Sequence, residues 1–201
     1  MANEYVSFED LSDQQMETIE ICVQETKNYL KEKEGWDGER PLIYVPHTMD
    51  TQPRIHDLVR ETLEADGELS KYFVLIPTEF TGKMYMKIRS ETDGEGGKKG
   101  SGMLFYTAPK GLLSHVDALV GVSYADGKFG AGAGLEMQWG LEHGKPVYEM
   151  VYNEDLLEIR EVSELDESRI LSIPDTRERV KDNKFYFSRY SGKAEREFFS
   201  R

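Results

Sequence analysis

Apolar positions recur along this chain with two alternating periods, and that alternation predicts its elements. From Ser12 to Glu34 they return at helical spacing: Met16, Ile19, Cys22 with Val23, Thr26, and Tyr29 with Leu30. Ser12, with Gln15 three residues on, predicts a capping box at the start of this helix, and Gly35 its end. Pro41-Leu42-Ile43-Tyr44-Val45 is a short apolar run of the kind that forms a buried strand. Asp50, Thr51 and Pro53 then signal a helix start. Ile55, Leu58, Val59 and Leu63 form its buried face, and Gly67 is placed to cap its end. Tyr72-Phe73-Val74-Leu75-Ile76 is a second buried strand.

The stretch Met84-Tyr85-Met86-Lys87-Ile88 alternates and is read as a short strand. Residues 93–102, rich in Gly and charge, are read as a mobile loop. The Gly97-Lys98-Lys99-Gly100 run lacks the G-x-x-x-x-G-K-S/T spacing of a phosphate loop. Pro109 to Val116 is read as a short helix, Ala118 to Val122 as a strand, and Gly132 to His143 as a helix closed by Gly144. Pro146 to Val151 is a further strand, Leu156 to Val162 an edge strand, Pro174 to Lys181 a helical turn and Phe185-Tyr186-Phe187 a terminal strand. Strands alternating with helices predict right-handed crossovers. The expected fold is therefore α/β, a Rossmann-like (flavodoxin-like) parallel sheet with helices on both faces. Residues 1–40 form an N-terminal helical extension in this reading, 41–153 the α/β core, and 154–201 a C-terminal extension packing on the core or on a neighbouring subunit.

Composition narrows the function. The 201 residues suit one domain with extensions. Acidic residues outnumber basic ones, 38 to 25, for a formal net charge of -13. A nucleic-acid polymer is then an unsuitable partner, because its phosphates need a basic surface. A mononucleotide needs only a local anion site. The single cysteine, Cys22, leaves no disulfide or Cys-based metal site, and no pair of His56, His115 and His143 has zinc-site spacing. No metal or cofactor is expected. There is no signal-peptide pattern and no apolar run of membrane-spanning length, so the expected compartment is the cytoplasm and no membrane is expected as a partner.

Candidate chemistry gathers between Val116 and Val151. A buried strand leads into a loop holding Asp126, and Gly130-Ala131-Gly132-Ala133-Gly134 opens a helix that carries Glu136. In open α/β sheets ligands bind beyond the carboxyl ends of the strands, which is where this loop falls. Glycines there permit close backbone approach and present N–H groups to anions. A Glu in the opening turn of a helix is favoured in its charged form by the helix dipole, and a charged carboxylate at a cleft rim is a plausible nucleophile. It is equally a common helix stabiliser.

These residues resemble the nucleoside 2-deoxyribosyltransferases and the related nucleoside 5′-monophosphate N-glycosidases. The resemblance rests on the Asp-led strand from Asp117, the run Gly132-Ala133-Gly134-Leu135-Glu136, and the closing Gly144-Lys145-Pro146-Val147. It implies that Glu136 is the nucleophile and that Tyr44, in Leu42-Ile43-Tyr44-Val45, orients it. The chain departs from the family at three places. Pro46-His47-Thr48 follows the Tyr strand in place of small residues. Gly130 stands where the transferases have Asp and the nucleotide hydrolases Ser, and Pro109 where the family has a base-contacting Asp. Asp126 is the candidate substitute, as acid or sugar-hydroxyl contact.

The resemblance implies cleavage or transfer of an N-glycosidic bond through a covalent glycosyl intermediate. The Gly130, Gly132 and Gly134 backbone would shape the sugar or phosphate pocket, with His47 facing it or lying in a loop. The ligand would be a small nucleoside or nucleotide, and the assembly a homo-oligomer. Two alternatives stay open: a non-catalytic nucleotide-binding module, and a hydrolase of another N-glycoside such as a nicotinamide dinucleotide. Arg177 and Arg179 suit a phosphate, and more simply a solvated helix face. Met137 and Trp139 read as helix packing.

Overall fold

A computed structural model describes residues 9, 11–46, 53–77, 79–93, 101–124, 126–153 and 156–181. Helix α1 (Asp13–Tyr29) opens with the expected reciprocal cap between Ser12 and Gln15. It runs on as a π-helical turn, Leu30–Glu34, and stops where Gly35 takes φ 82°, a left-handed conformation that glycine adopts without steric cost. Strand β1 (Leu42–Tyr44) follows, then α2 (Pro53–Ala65), β2 (Phe73–Leu75), α3 (Glu79–Asp93) and the short α4 (Leu104–Thr107). Strand β3 (Ala118–Val122), α5 (Ala131–Glu142), β4 (Val147–Asn153), β5 (Leu156–Glu161) and α6 (Ile173–Lys181) complete the order.

The five strands form one sheet in the order β2-β1-β3-β4-β5. The first four are parallel and β5 is antiparallel to β4 at the edge, so the parallel sheet expected from the pattern carries one reversed strand. The fold is α/β and Rossmann-like, with an N-terminal helix. Alternation along each strand splits the core in two. Leu42, Tyr44, Phe73, Leu75, Leu119 and Val147 join residues of α1, α3, α4 and α5 on one face. Ile43, Val45, Val74, Ile76, Ala118, Val120 and Met150 join Val59 and Leu63 of α2 on the other. Helix α1 belongs to this core, since Ile19 and Cys22 are completely buried in it. Residues 156–171 also build onto the same subunit, through β5 and a bridge between Ile170 and Phe129.

Three local expectations are corrected. Residues 84–88 lie inside α3 and form no strand. Thr81, Met84 and Ile88 are buried while Met86 is half exposed, so the buried face follows helical spacing and not alternation. Between 109 and 116 only Leu112–His115 is helical, as a 3-10 segment, and the nearest α-helix ends before Pro109 at Thr107. Gly67 is not left-handed; the end of α2 is secured by Asp66, whose carboxylate accepts from the N–H groups of Glu68 and Leu69 at 2.9 and 2.8 Å. The side chains of Ile55 and Leu58, and all of 185–187, lie outside the described residues. No helix among the described residues is long and apolar enough to cross a membrane.

Candidate active site

The strand order reverses direction at β1. The chain passes from β1 to β2 on one side and returns to β3 on the other, so the crevice between the carboxyl ends of β1 and β3 is the topological switch point. Tyr44 is the last residue of β1, and α5 leaves the loop that follows β3. Both elements therefore deliver a side chain to this edge. The Tyr44 hydroxyl donates to Glu136 Oε2 across 3.2 Å. The pairing expected between these two residues is present, and both are buried. At the opposite edge of the sheet Asp117 ties the amino ends of β1 and β3: its N–H donates to Leu42 O and its carboxylate accepts from Leu42 N–H, each at 2.8 Å.

The charge state of Glu136 differs from expectation. The residue lies in the second turn of α5, not the first, and faces the core. Burial pushes its pKa up to about 8, and the hydrogen bond from Tyr44 only partly opposes this. The helix dipole acts mainly in the first turn, so it does not rescue the charge here. Without ligand, Glu136 is mostly protonated at pH 7. The Tyr44 hydroxyl is held well above its ordinary range, first by burial and then by the neighbouring carboxyl, and stays a donor.

Asp126 is not part of this pair. Its carboxylate is exposed and bound by Arg179, Nη2–Oδ2 2.6 Å and Nη1–Oδ1 3.1 Å. That hydrogen-bonded pairing holds the Asp126 pKa below its usual value. A proton donor needs the opposite shift, so the acid role is withdrawn. Arg179 is likewise committed to Asp126 and stands over the Tyr124 ring, not on an open helix face.

The three glycines differ. Gly130 is the buried N-cap of α5. At Gly134 a Cβ would stand 2.6 Å from Ile170 Cγ2, so this glycine admits a neighbouring segment and not a ligand. Gly132 has room, its nearest neighbour being Met103 Sδ at 3.9 Å from an added Cβ. The N–H of Ala131 is taken by Thr176 Oγ1 of α6 at 2.9 Å. His47 lies outside the described residues.

Two groups near this edge escaped the sequence reading. Tyr106, on α4, is buried with its ring centroid 5.8 Å from that of Tyr44. Glu149, on β4, is buried and accepts from Arg160 at 2.8 Å and from Arg169. Burial pushes the Glu149 pKa up, but its bonds to Arg169 and Arg160 outweigh this and hold it below the usual value. Neither residue sits in a motif, and only tertiary contact reveals them.

A buried carboxyl oriented by a tyrosine hydroxyl at a switch point can act as a nucleophile once ionised. No protein-family model, curated protein or solved structure matches the chain.

Proposed function

We propose that this protein cleaves or transfers the N-glycosidic bond of a nucleoside or nucleotide, with Glu136 as nucleophile and Tyr44 as the residue that orients it. The observation that carries this reading is the 3.2 Å hydrogen bond from the Tyr44 hydroxyl to Glu136. It supports the roles implied by the resemblance because two elements far apart in sequence converge on it at the ligand edge of the sheet. Glu136 must first release its proton to solvent, and positive charge at the anomeric carbon favours its ionised form. One carboxylate oxygen then bonds to the anomeric carbon as the carbon–nitrogen bond breaks. The base departs with the bonding pair and takes a proton from solvent. Water attacking the glycosyl ester gives hydrolysis; a second base gives transfer.

The test is incubation with a panel of nucleosides and nucleotides, with and without an acceptor base, followed by separation of free bases. Wild type should release base, Glu136→Gln should not, and the trapped ester should add the sugar mass to the peptide containing Glu136. Full base release by Glu136→Ala would reject the mechanism. The commitment of Asp126 to Arg179 favours a second reading, a nucleotide-binding module without turnover. Calorimetric binding of a nucleotide with no base released would select it. A homo-oligomer is part of the same proposal and is tested by sedimentation.

A further inference from the structure

Strand β5 forms one edge of the sheet, and the phase of its bonds to β4 decides what that edge offers. The Val162 N–H donates to Val147 O at 2.8 Å, one step beyond the Tyr148–Glu161 pair of the β4–β5 register. Antiparallel strands alternate hydrogen-bonded and non-hydrogen-bonded pairs. Arg160 opposite Glu149, and Glu158 opposite Val151, are therefore the pairs bonded to β4. Leu157, Ile159 and Glu161 turn their N–H and C=O groups outward, and among the described residues no backbone group meets them. The other edge strand, β2, is only Phe73–Leu75. The longer β5 contains neither Lys nor Pro, the residues that commonly block an edge.

We propose that β5 pairs antiparallel with β5 of a second copy of this chain, about a two-fold axis at Ile159, and joins the two sheets into one. Only the register centred on Ile159 pairs Leu157, Ile159 and Glu161 all at once, for about six bonds between the strands. That register sets Glu158 of each copy directly opposite Arg160 of the other. Both side chains are exposed, and they meet at a non-hydrogen-bonded pair, where side chains approach most closely. Opposite charges at such a position stabilise the pairing and like charges oppose it. Centring on Glu158 would face that residue with itself, and centring on Arg160 would do the same for the cation. On the other face Ile159, partly buried against the core beside Met150, would meet Ile159 of the second copy. Backbone phase, charge and apolar contact thus select the same register.

This interface goes beyond the homo-oligomer of the proposed function by assigning its surface, and it does not depend on the glycosidic reading. Sedimentation equilibrium of the full chain reads the association, and amide hydrogen exchange reads the edge. Wild type should be a dimer whose Ile159 amide gains protection as protein concentration rises, while the Arg160 amide, bonded to β4, is protected throughout. Glu158→Lys sets two cations face to face and should weaken the dimer about tenfold or more. Ile159→Pro removes the central donor, leaves the bonds to β4 in place and should give a monomer. A monomeric wild type overturns the proposal, as does an Ile159 amide whose exchange ignores concentration. A dimer unaffected by these substitutions overturns this interface and leaves a homo-oligomer built on another surface. If Ile159→Pro fails to fold, Glu158→Lys decides alone.

Discussion

Arg169 reaches from the segment after β5 to hold Glu149 on β4, and its Nε donates to the Gly127 carbonyl at 2.8 Å. The same guanidinium lies over the Phe129 ring at 5.1 Å. One side chain thus ties the sheet to the loop from which α5 departs, and so sets where Glu136 is delivered. Removing one partner of a buried ion pair strands the other charge. Arg169→Met should lower unfolding free energy by about 3 kcal/mol, read from urea denaturation. Exposed Arg160 would be the remaining cation on Glu149 among the described residues.

Glu136 should make stability fall as pH rises. Its folded pKa, about 8, is raised above the ordinary 4.5, so the folded state binds the extra proton between those values. The favourable contribution is complete below pH 4.5, declines through the interval and is lost above about 8. The full span is at most roughly 5 kcal/mol. Glu136→Gln lacks this dependence, so its stability relative to wild type should improve steadily from pH 5 to 8 in parallel denaturation curves. Glu149 has the opposite sign. Its depressed pKa gives stability that is lost only as pH falls below the usual carboxylate range, outside this window.

Tyr44→Phe keeps the ring in the core and deletes the donor to Glu136. The ionised carboxylate loses its direct hydrogen bond, worth about 1.5 kcal/mol or more for a charged acceptor. Base release at pH 7 should drop about tenfold or more, and recover in part at pH 9. A flat ratio of variant to wild type across that range would separate the tyrosine from the ionisation of Glu136.

The helical assignment of α3 yields a paired stability measurement. Met84 is buried and Met86 is half exposed. Met84→Ala should cost about 2–4 kcal/mol, and Met86→Ala less than about 0.5 kcal/mol. Equal costs would contradict the observed register.

Alanine at the α5 glycines should separate packing from ligand access. Gly134→Ala drives a methyl into Ile170 and should cost about 1–3 kcal/mol of stability. Gly132→Ala meets only Met103 at 3.9 Å and should stabilise by up to about 1 kcal/mol through helix propensity. If the Gly132 face admits substrate, the same variant should raise KM in the base-release assay with no fall in melting temperature.

Local chemistry determined much of this protein by itself. The Ser12–Gln15 cap, the left-handed stop at Gly35 and the buried runs at 42–45, 72–76 and 118–122 act through neighbours in sequence, so spacing alone reveals them. The pairing of Tyr44 with Glu136 is implied by the family resemblance that the surrounding motifs carry, not by spacing along the chain. The charge state of Glu136 is legible in neither. It depends on how much water the rest of the fold removes from α5, and burial reverses the preference expected from a helix start. Asp126 suits an acid or sugar-hydroxyl contact by residue type and place in the loop, and only the tertiary structure binds it to Arg179, 53 residues away. The Glu149–Arg169 clamp carries no sequence signature, because a hydrogen bond between distant residues is set by packing and leaves no period along the chain. The segment 84–88 alternates just enough to pass for a strand, and only its packing against α1 and α4 selects the helical face.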